Sequence, residues 1–324
     1  MVVAAVTVTA GFAAPAVAAA DTGLVSIAPA RLVDTRGGAG NTTVDGVLQG
    51  VGVRPAGSVL SVPVVGRGGV PGSGVGAVML NVTAVGPAAA GFLTVFPCGS
   101  GVPLASNVNY VAGQVVPNAV LAKVGDGGAV CIYSLAATHL VVDVNGFART
   151  GSGTQPLAPA RLVETRDGPG DVTVDGVLQG IGVRPAGSVL EVPVVGRGGV
   201  PSDDVGAVLL NVTAVGPAAA GFLTVFPCGS GVPLASNVNY VAGQVVPNAV
   251  LAKVGDGGAV CIYTYAATHL LVDVNGYAVD GSGTNPLEPA RLVETRDAPG
   301  DLTVDGVLEG IGLRAAGTVL EVPV

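Results

Sequence analysis

Tryptophan is absent from the 324-residue chain, and lysine and histidine occur only twice each. Charged residues make up 11% of the chain, against roughly 25% in an average globular protein. A coiled coil or helical bundle needs abundant Leu, Glu and Lys in a 3.5–3.6-residue period, so both are excluded. The formal net charge is −8, and the few arginines are scattered rather than gathered into a stripe. Nucleic acid and anionic membrane surfaces are therefore poor partners. No Gly-rich loop ending in Lys-Ser or Lys-Thr and no Gly-x-Ser-x-Gly elbow occurs. Gly72-Ser73-Gly74-Val75-Gly76 resembles a nucleotide fingerprint only faintly. No helix pattern follows it, and a later copy carries Ser202-Asp203-Asp204 there, so it reads as a surface turn.

Glycine and proline, by contrast, number 52 and 23, and apolar residues reach 49%. That much apolar surface argues against disorder. Residues 1–20 carry no charge, are mostly Val and Ala, and end in Ala18-Ala19-Ala20 before Asp21. This small-residue pattern predicts a cleaved secretory signal.

The sequence repeats. Arg31-Leu32-Val33-Asp34-Thr35-Arg36 returns at Arg161–Arg166 and again at Arg291–Arg296, with Glu164 and Glu294 in place of Asp34, each step being 130 residues. Residues 75–133 and 205–263 differ only in Met79 against Leu209. A 130-residue period suits whole domains in tandem. The expected division is a signal segment at 1–20, module 1 at 21–150, module 2 at 151–280 and the truncated start of a module 3 at 281–324. Within a copy the apolar period is two: Val59–Val64, Ala77–Thr83, Phe92–Phe96, Ala119–Val124 and Leu140–Val144 all read as strands. Asp126-Gly127 between two apolar runs predicts a hairpin. Short strands without helices indicate an all-β fold of tandem antiparallel β-sandwich or barrel-like modules. Cys98 and Cys131 lie 33 apart, as do Cys228 and Cys261. One pair per module in an exported chain reads as one disulfide each, rather than a metal site.

Candidate chemistry is sparse. His139 stands four residues before Asp143 on one strand face, a base-and-orienter spacing with no identifiable nucleophile, so no catalytic residue is assigned. Asp34 and Arg36, and Glu164 and Arg166 in the second copy, are expected to form structural ion pairs. A cation site at Asp34, Asp45 and Asp143 would need more converging oxygens, and no metal or cofactor is assigned. The most distinctive cluster is Ser106-Asn107-Val108-Asn109-Tyr110 with Gln114 and Asn118, repeated at Asn237, Asn239, Tyr240, Gln244 and Asn248. Asn107 and Asn109 on one strand face would offer paired carboxamides to sugar hydroxyls or a peptide backbone. The competing reading makes them buried amides that satisfy loop backbone. Between Arg67 and Lys123, and again between Asp204 and Lys253, there is no charged residue at all. An uncharged sheet of this size is expected to be covered by a neighbouring module or by self-association. Proline, asparagine and glycine exclude a transmembrane helix there.

With these residues laid out, the chain resembles repeat modules of actinobacterial secreted and cell-surface proteins. The resemblance runs through Pro29–Arg36, Leu80–Thr83, Gly91–Gly99, Ala105–Tyr110, Ala122–Gly125, Val130–Tyr133 and Val142–Phe147. It implies an extracellular adhesive or accessory role, in arrays or beside exported hydrolases, and brings no catalytic residues with it. The expected function is therefore a secreted, non-catalytic surface or adhesion module. The alternatives are a glycan- or cell-wall-binding accessory region of a longer hydrolase, and a structural spacer or fibre subunit.

Overall fold

A computed structural model describes residues 23–324, so the signal segment expected at 1–20 lies outside the described residues. Each complete copy forms an antiparallel β-sandwich of two four-stranded sheets. In module 1 one sheet has the order β1 (Leu24–Asp34), β8 (His139–Arg149), β3 (Val75–Val85), β6 (Val115–Lys123). The other runs β2 (Ser58–Pro63), β7 (Ala129–Ser134), β4 (Gly91–Pro97), β5 (Val108–Tyr110).

Module 2 repeats this layout. Its first sheet is β9 (Thr154–Glu164), β16 (His269–Val279), β11 (Val205–Val215), β14 (Val245–Lys253). Its second is β10 (Ser188–Pro193), β15 (Ala259–Thr264), β12 (Gly221–Pro227), β13 (Val238–Tyr240). Alternating apolar residues, mostly Val and Leu, turn one face of each strand inward. Leu32, Val62, Leu80, Leu93, Ile132 and Leu140 therefore interdigitate in a core with almost no solvent exposure.

The disulfides Cys98–Cys131 and Cys228–Cys261 fasten the end of β4 to β7 and of β12 to β15. The hairpin expected at Asp126-Gly127 is corrected. Residues 124–128 instead pass from β6 in one sheet to β7 in the other through a short 3-10 turn at Asp126–Gly128. Gly125 there lies against the Cys98 backbone, where a Cβ would come within 2.2 Å of the Cys98 carbonyl oxygen. The Asp126 N–H donates to that same oxygen at 2.9 Å. A tight crossing held by the disulfide thus replaces a two-strand ribbon.

Residues 284–324 repeat the opening of a copy without pairing into a sheet. They retain its ion pairs, Arg291–Glu294 at 3.0 Å and Arg296–Glu294 at 2.7 Å. Among the described residues no helix is long and apolar enough to cross a membrane.

Candidate site at the module junction

The asparagine cluster lies where the two modules meet. β5 pairs with β4 only over Leu93–Gly91, so beyond it the Val95 N–H has no strand partner on that side. The Asn107 carboxamide oxygen accepts that N–H at 2.7 Å, and its Nδ2 donates to Asn275 Oδ1 of module 2 at 3.4 Å. Asn118 donates to the Asn107 carbonyl at 2.6 Å and to Asn211 Oδ1 at 2.7 Å. Its own oxygen accepts from Ala249 N–H at 3.0 Å. Asn211 in turn donates to the Ser106 carbonyl.

The expectation that Asn107 and Asn118 face a ligand is therefore corrected. Both are buried, and their carboxamides satisfy backbone and bind module 2. Asn107 also precedes β5 rather than sharing a strand with Asn109. Gln114 turns back to accept the Val111 N–H at 2.9 Å, as Gln244 does from Val241 at 3.0 Å.

Among the described residues, the charged groups seen bonded at this junction, Asp273 and Arg161, belong to module 2. Asp273 is fully buried and accepts from Arg161 Nε at 2.9 Å, from Arg161 Nη2 at 3.3 Å and from the Ser106 N–H at 3.2 Å. Burial pushes the Asp273 carboxyl up, and Arg161 and the Ser106 N–H oppose this without cancelling it. Burial also works against the Arg161 charge. Asp273 and Glu164 outweigh it, so the guanidinium holds its proton more tightly than usual. Around this polar centre Leu121 of module 1 packs against Leu209 and against the backbone of Gly276.

Outside the buried junction the modules leave a cleft of about 670 Å³. Its walls are Phe92, Tyr133 and Asn109 from module 1 and Arg161, Arg166 and Asp171 from module 2, under an apolar rim at Val102–Leu104. Phe92 and Tyr133 lie 6.0 Å apart at 46°. Asn109 lines the cleft and donates to Ser106 Oγ at 3.1 Å. Tyr110 is buried at the edge, and its hydroxyl donates to the Phe92 carbonyl at 3.1 Å. Arg166 is paired with Glu164 at 2.7 Å and with Asp171 at 3.0 Å.

No protein-family model, curated protein or solved structure matches this chain. The site therefore rests on its own geometry, and that geometry occurs twice. A second cleft of about 530 Å³ joins Phe222, Tyr263 and Asn239 of module 2 to Arg291, Arg296 and Asp301. Phe222 and Tyr263 repeat the 6.0 Å, 46° arrangement, and Tyr265 stacks on Phe222 at 4.9 Å. Asn237 accepts the Val225 N–H at 2.7 Å, Asn248 donates to the Asn237 carbonyl at 2.6 Å, and Tyr240 donates to the Phe222 carbonyl at 3.2 Å.

The expected ion pairs form, with Arg36 Nη2 to Asp34 Oδ2 at 2.7 Å and Arg166 Nη2 to Glu164 Oε2 at 2.7 Å. His139 turns away from Asp143. It meets the Thr35 hydroxyl at 3.0 Å, and that buried hydroxyl also accepts the Leu140 N–H at 2.9 Å. Asp143 instead binds Arg31 at 2.9 Å. Among the described residues no three His, Cys, Asp or Glu side chains gather closely enough to share a metal ion. Sequence reasoning missed Phe92, Tyr133, Arg161, Asp171, Asn211, Asp273 and Asn275. Their only signal is recurrence at the 130-residue spacing, which for Asp171 reaches Asp301 but not Asn41.

Proposed function

We propose that the protein is an exported, non-catalytic repeat protein that acts as a cell-surface adhesion module, holding neutral extracellular sugar chains in the clefts between modules. The observation that carries this reading is the duplicated cleft, with a tilted aromatic pair, a carboxamide and arginine–carboxylate pairs at both junctions. Aromatic faces suit the apolar face of a pyranose, and carboxamides and carboxylates suit its hydroxyls. Both guanidinium groups of the first cleft already face carboxylates, which favours a neutral ligand over an anionic one. Two alike sites in one chain convert weak contacts into avidity. The resemblance to actinobacterial surface modules, the uncharged segment 1–20 and the two disulfides support an extracellular setting.

The test is saturable binding of the oxidised chain to isolated cell walls and to a panel of neutral polysaccharides. Replacing Phe92 and Phe222 by Ala is expected to weaken binding by roughly tenfold, about 1.4 kcal/mol, without unfolding either module. Absence of saturable binding by folded protein would overturn the reading. It would favour a structural spacer, for which the buried polar junction argues independently.

A further inference from the structure

We propose that a third complete module of the same kind closes the two present here into a ring of three, seated on one open face of module 2 and one open face of module 1. The inference goes beyond the proposed ligand role and does not depend on it.

The two modules serve as controls for each other. Residues 75–133 and 205–263 differ at one position, so any difference in their exposure comes from surroundings rather than sequence. Leu121 of module 1 is 4% exposed under module 2, whereas its counterpart Leu251 is 43% exposed. Asn118 is buried and its counterpart Asn248 is exposed. The opposite face behaves in reverse. The Asp273 side chain is fully buried against module 1, whereas that of its counterpart Asp143, in a stretch where the copies differ at a few more positions, is 22% exposed. Module 2 thus presents the unfilled half of the junction that module 1 has filled. Module 1 presents the other unfilled half, with Gly146 and Met79 standing where Gly276 and Leu209 receive Leu121.

The step from one copy to the next is a rotation about a nearby axis. Equivalent positions touch: Asn118 accepts from Ala249, next to its own counterpart Asn248, and the Thr154 and Thr284 hydroxyls lie 2.8 Å apart. Most tellingly, Gly23 at the start of the first copy abuts Thr284 at the start of the third, where a Cβ on Gly23 would lie 2.8 Å from the Thr284 hydroxyl. A straight rod would separate copies one and three by two module lengths. Contact after one step and again after two places all three copy starts around a common axis, with little rise along it. Repeated use of a head-to-tail interface closes into a ring when the rotation does. The third start touches both the second and the first, and with equal steps this defines about a third of a turn per step. Residues 285–324 already occupy the opening of the third position, where Arg291 and Arg296 line the second cleft.

Two experiments test this. In the first, Gly23→Cys and Thr284→Cys are introduced together into the oxidised chain. A third disulfide is expected, seen as loss of both free thiols to alkylation. Two thiols that remain alkylatable in folded protein would overturn the rotation. In the second, the sequence of residues 195–280 is appended after Val324 to complete a third copy. Asp143→Asn is then expected to lower the melting temperature of the extended chain about as much as Asp273→Asn does, while hardly changing the unextended chain. Small-angle scattering of the extended chain is expected to fit a compact triangle. An equally small effect of Asp143→Asn in both chains, with the third disulfide of the appended module formed, would overturn ring closure. So would an elongated scattering profile.

Discussion

One side chain changes its worth with its neighbours. Asp143 and Asp273 occupy equivalent positions and each grips an arginine Nε at 2.9 Å. Only Asp273 does so out of water and with a third donor, the Ser106 N–H. Asp273→Asn should cost about 3–5 kcal/mol, because it leaves the Arg161 charge buried with Glu164 as its remaining carboxylate. Asp143→Asn in the same chain should cost about 0–1 kcal/mol. Urea denaturation of the two variants checks the contrast. Acid sensitivity arises elsewhere. The hydrogen bonds from Arg67 hold the Asp45 carboxyl at about 2, and Arg197 lowers Asp175 in the same way. A carboxyl held below its unfolded value of about 3.9 favours the folded state fully above that pH. That contribution fades as pH falls from about 4 towards 2. The urea midpoint should drop across this window, and Arg67→Met with Arg197→Met should flatten the drop.

At the scale of strands, the disulfide and the crossing turn act together. Reducing Cys98–Cys131 should destabilise module 1 by roughly 3–4 kcal/mol, as expected for a loop of this size, and calorimetry with and without reductant measures it. Gly125→Ala should prevent module 1 from packing, because the added carbon would overlap the Cys98 backbone. Loss of the first module's protease resistance would show this. The strands that were legible in the sequence were those with clean alternation, such as Ala77–Thr83 within β3. β1 was not, because Pro29 and Arg31 interrupt its pattern and two bulges shift its register against β8. Asp126-Gly127 is a turn, as its residues predict, but it joins strands of two different sheets. Local turn chemistry does not say which sheet the next strand joins. The asparagine cluster was conspicuous for the same reason that it was misdirected. Carboxamides at Asn107 and Asn118 are as suited to a protein backbone as to a sugar, and only the position of the second module decides between them.

For the whole molecule, the junction makes two sandwiches one cooperative object. The alternation of β3, with Asn81 and Thr83 half-exposed, disappears in β11, where Asn211 and Thr213 are buried against module 1. The intact chain should therefore melt in one calorimetric transition. Asn118→Ala combined with Asn211→Ala should split it into two, each approaching the enthalpy of a single module. Near-identity of adjacent modules has another consequence, for the route by which they fold. β4 of one module is chemically indistinguishable from β12 of the next, so an unfolded chain can lay either strand beside β7. Such an exchange bridges two modules before either is complete, and this is how neighbouring domains of like sequence misassemble. Covalent closure of Cys98 on Cys131, only 33 residues away, commits β4 to its own module. Refolding without oxidant should accordingly trap strand-swapped species, and the disulfides act here as editors of pairing as much as staples of the finished fold.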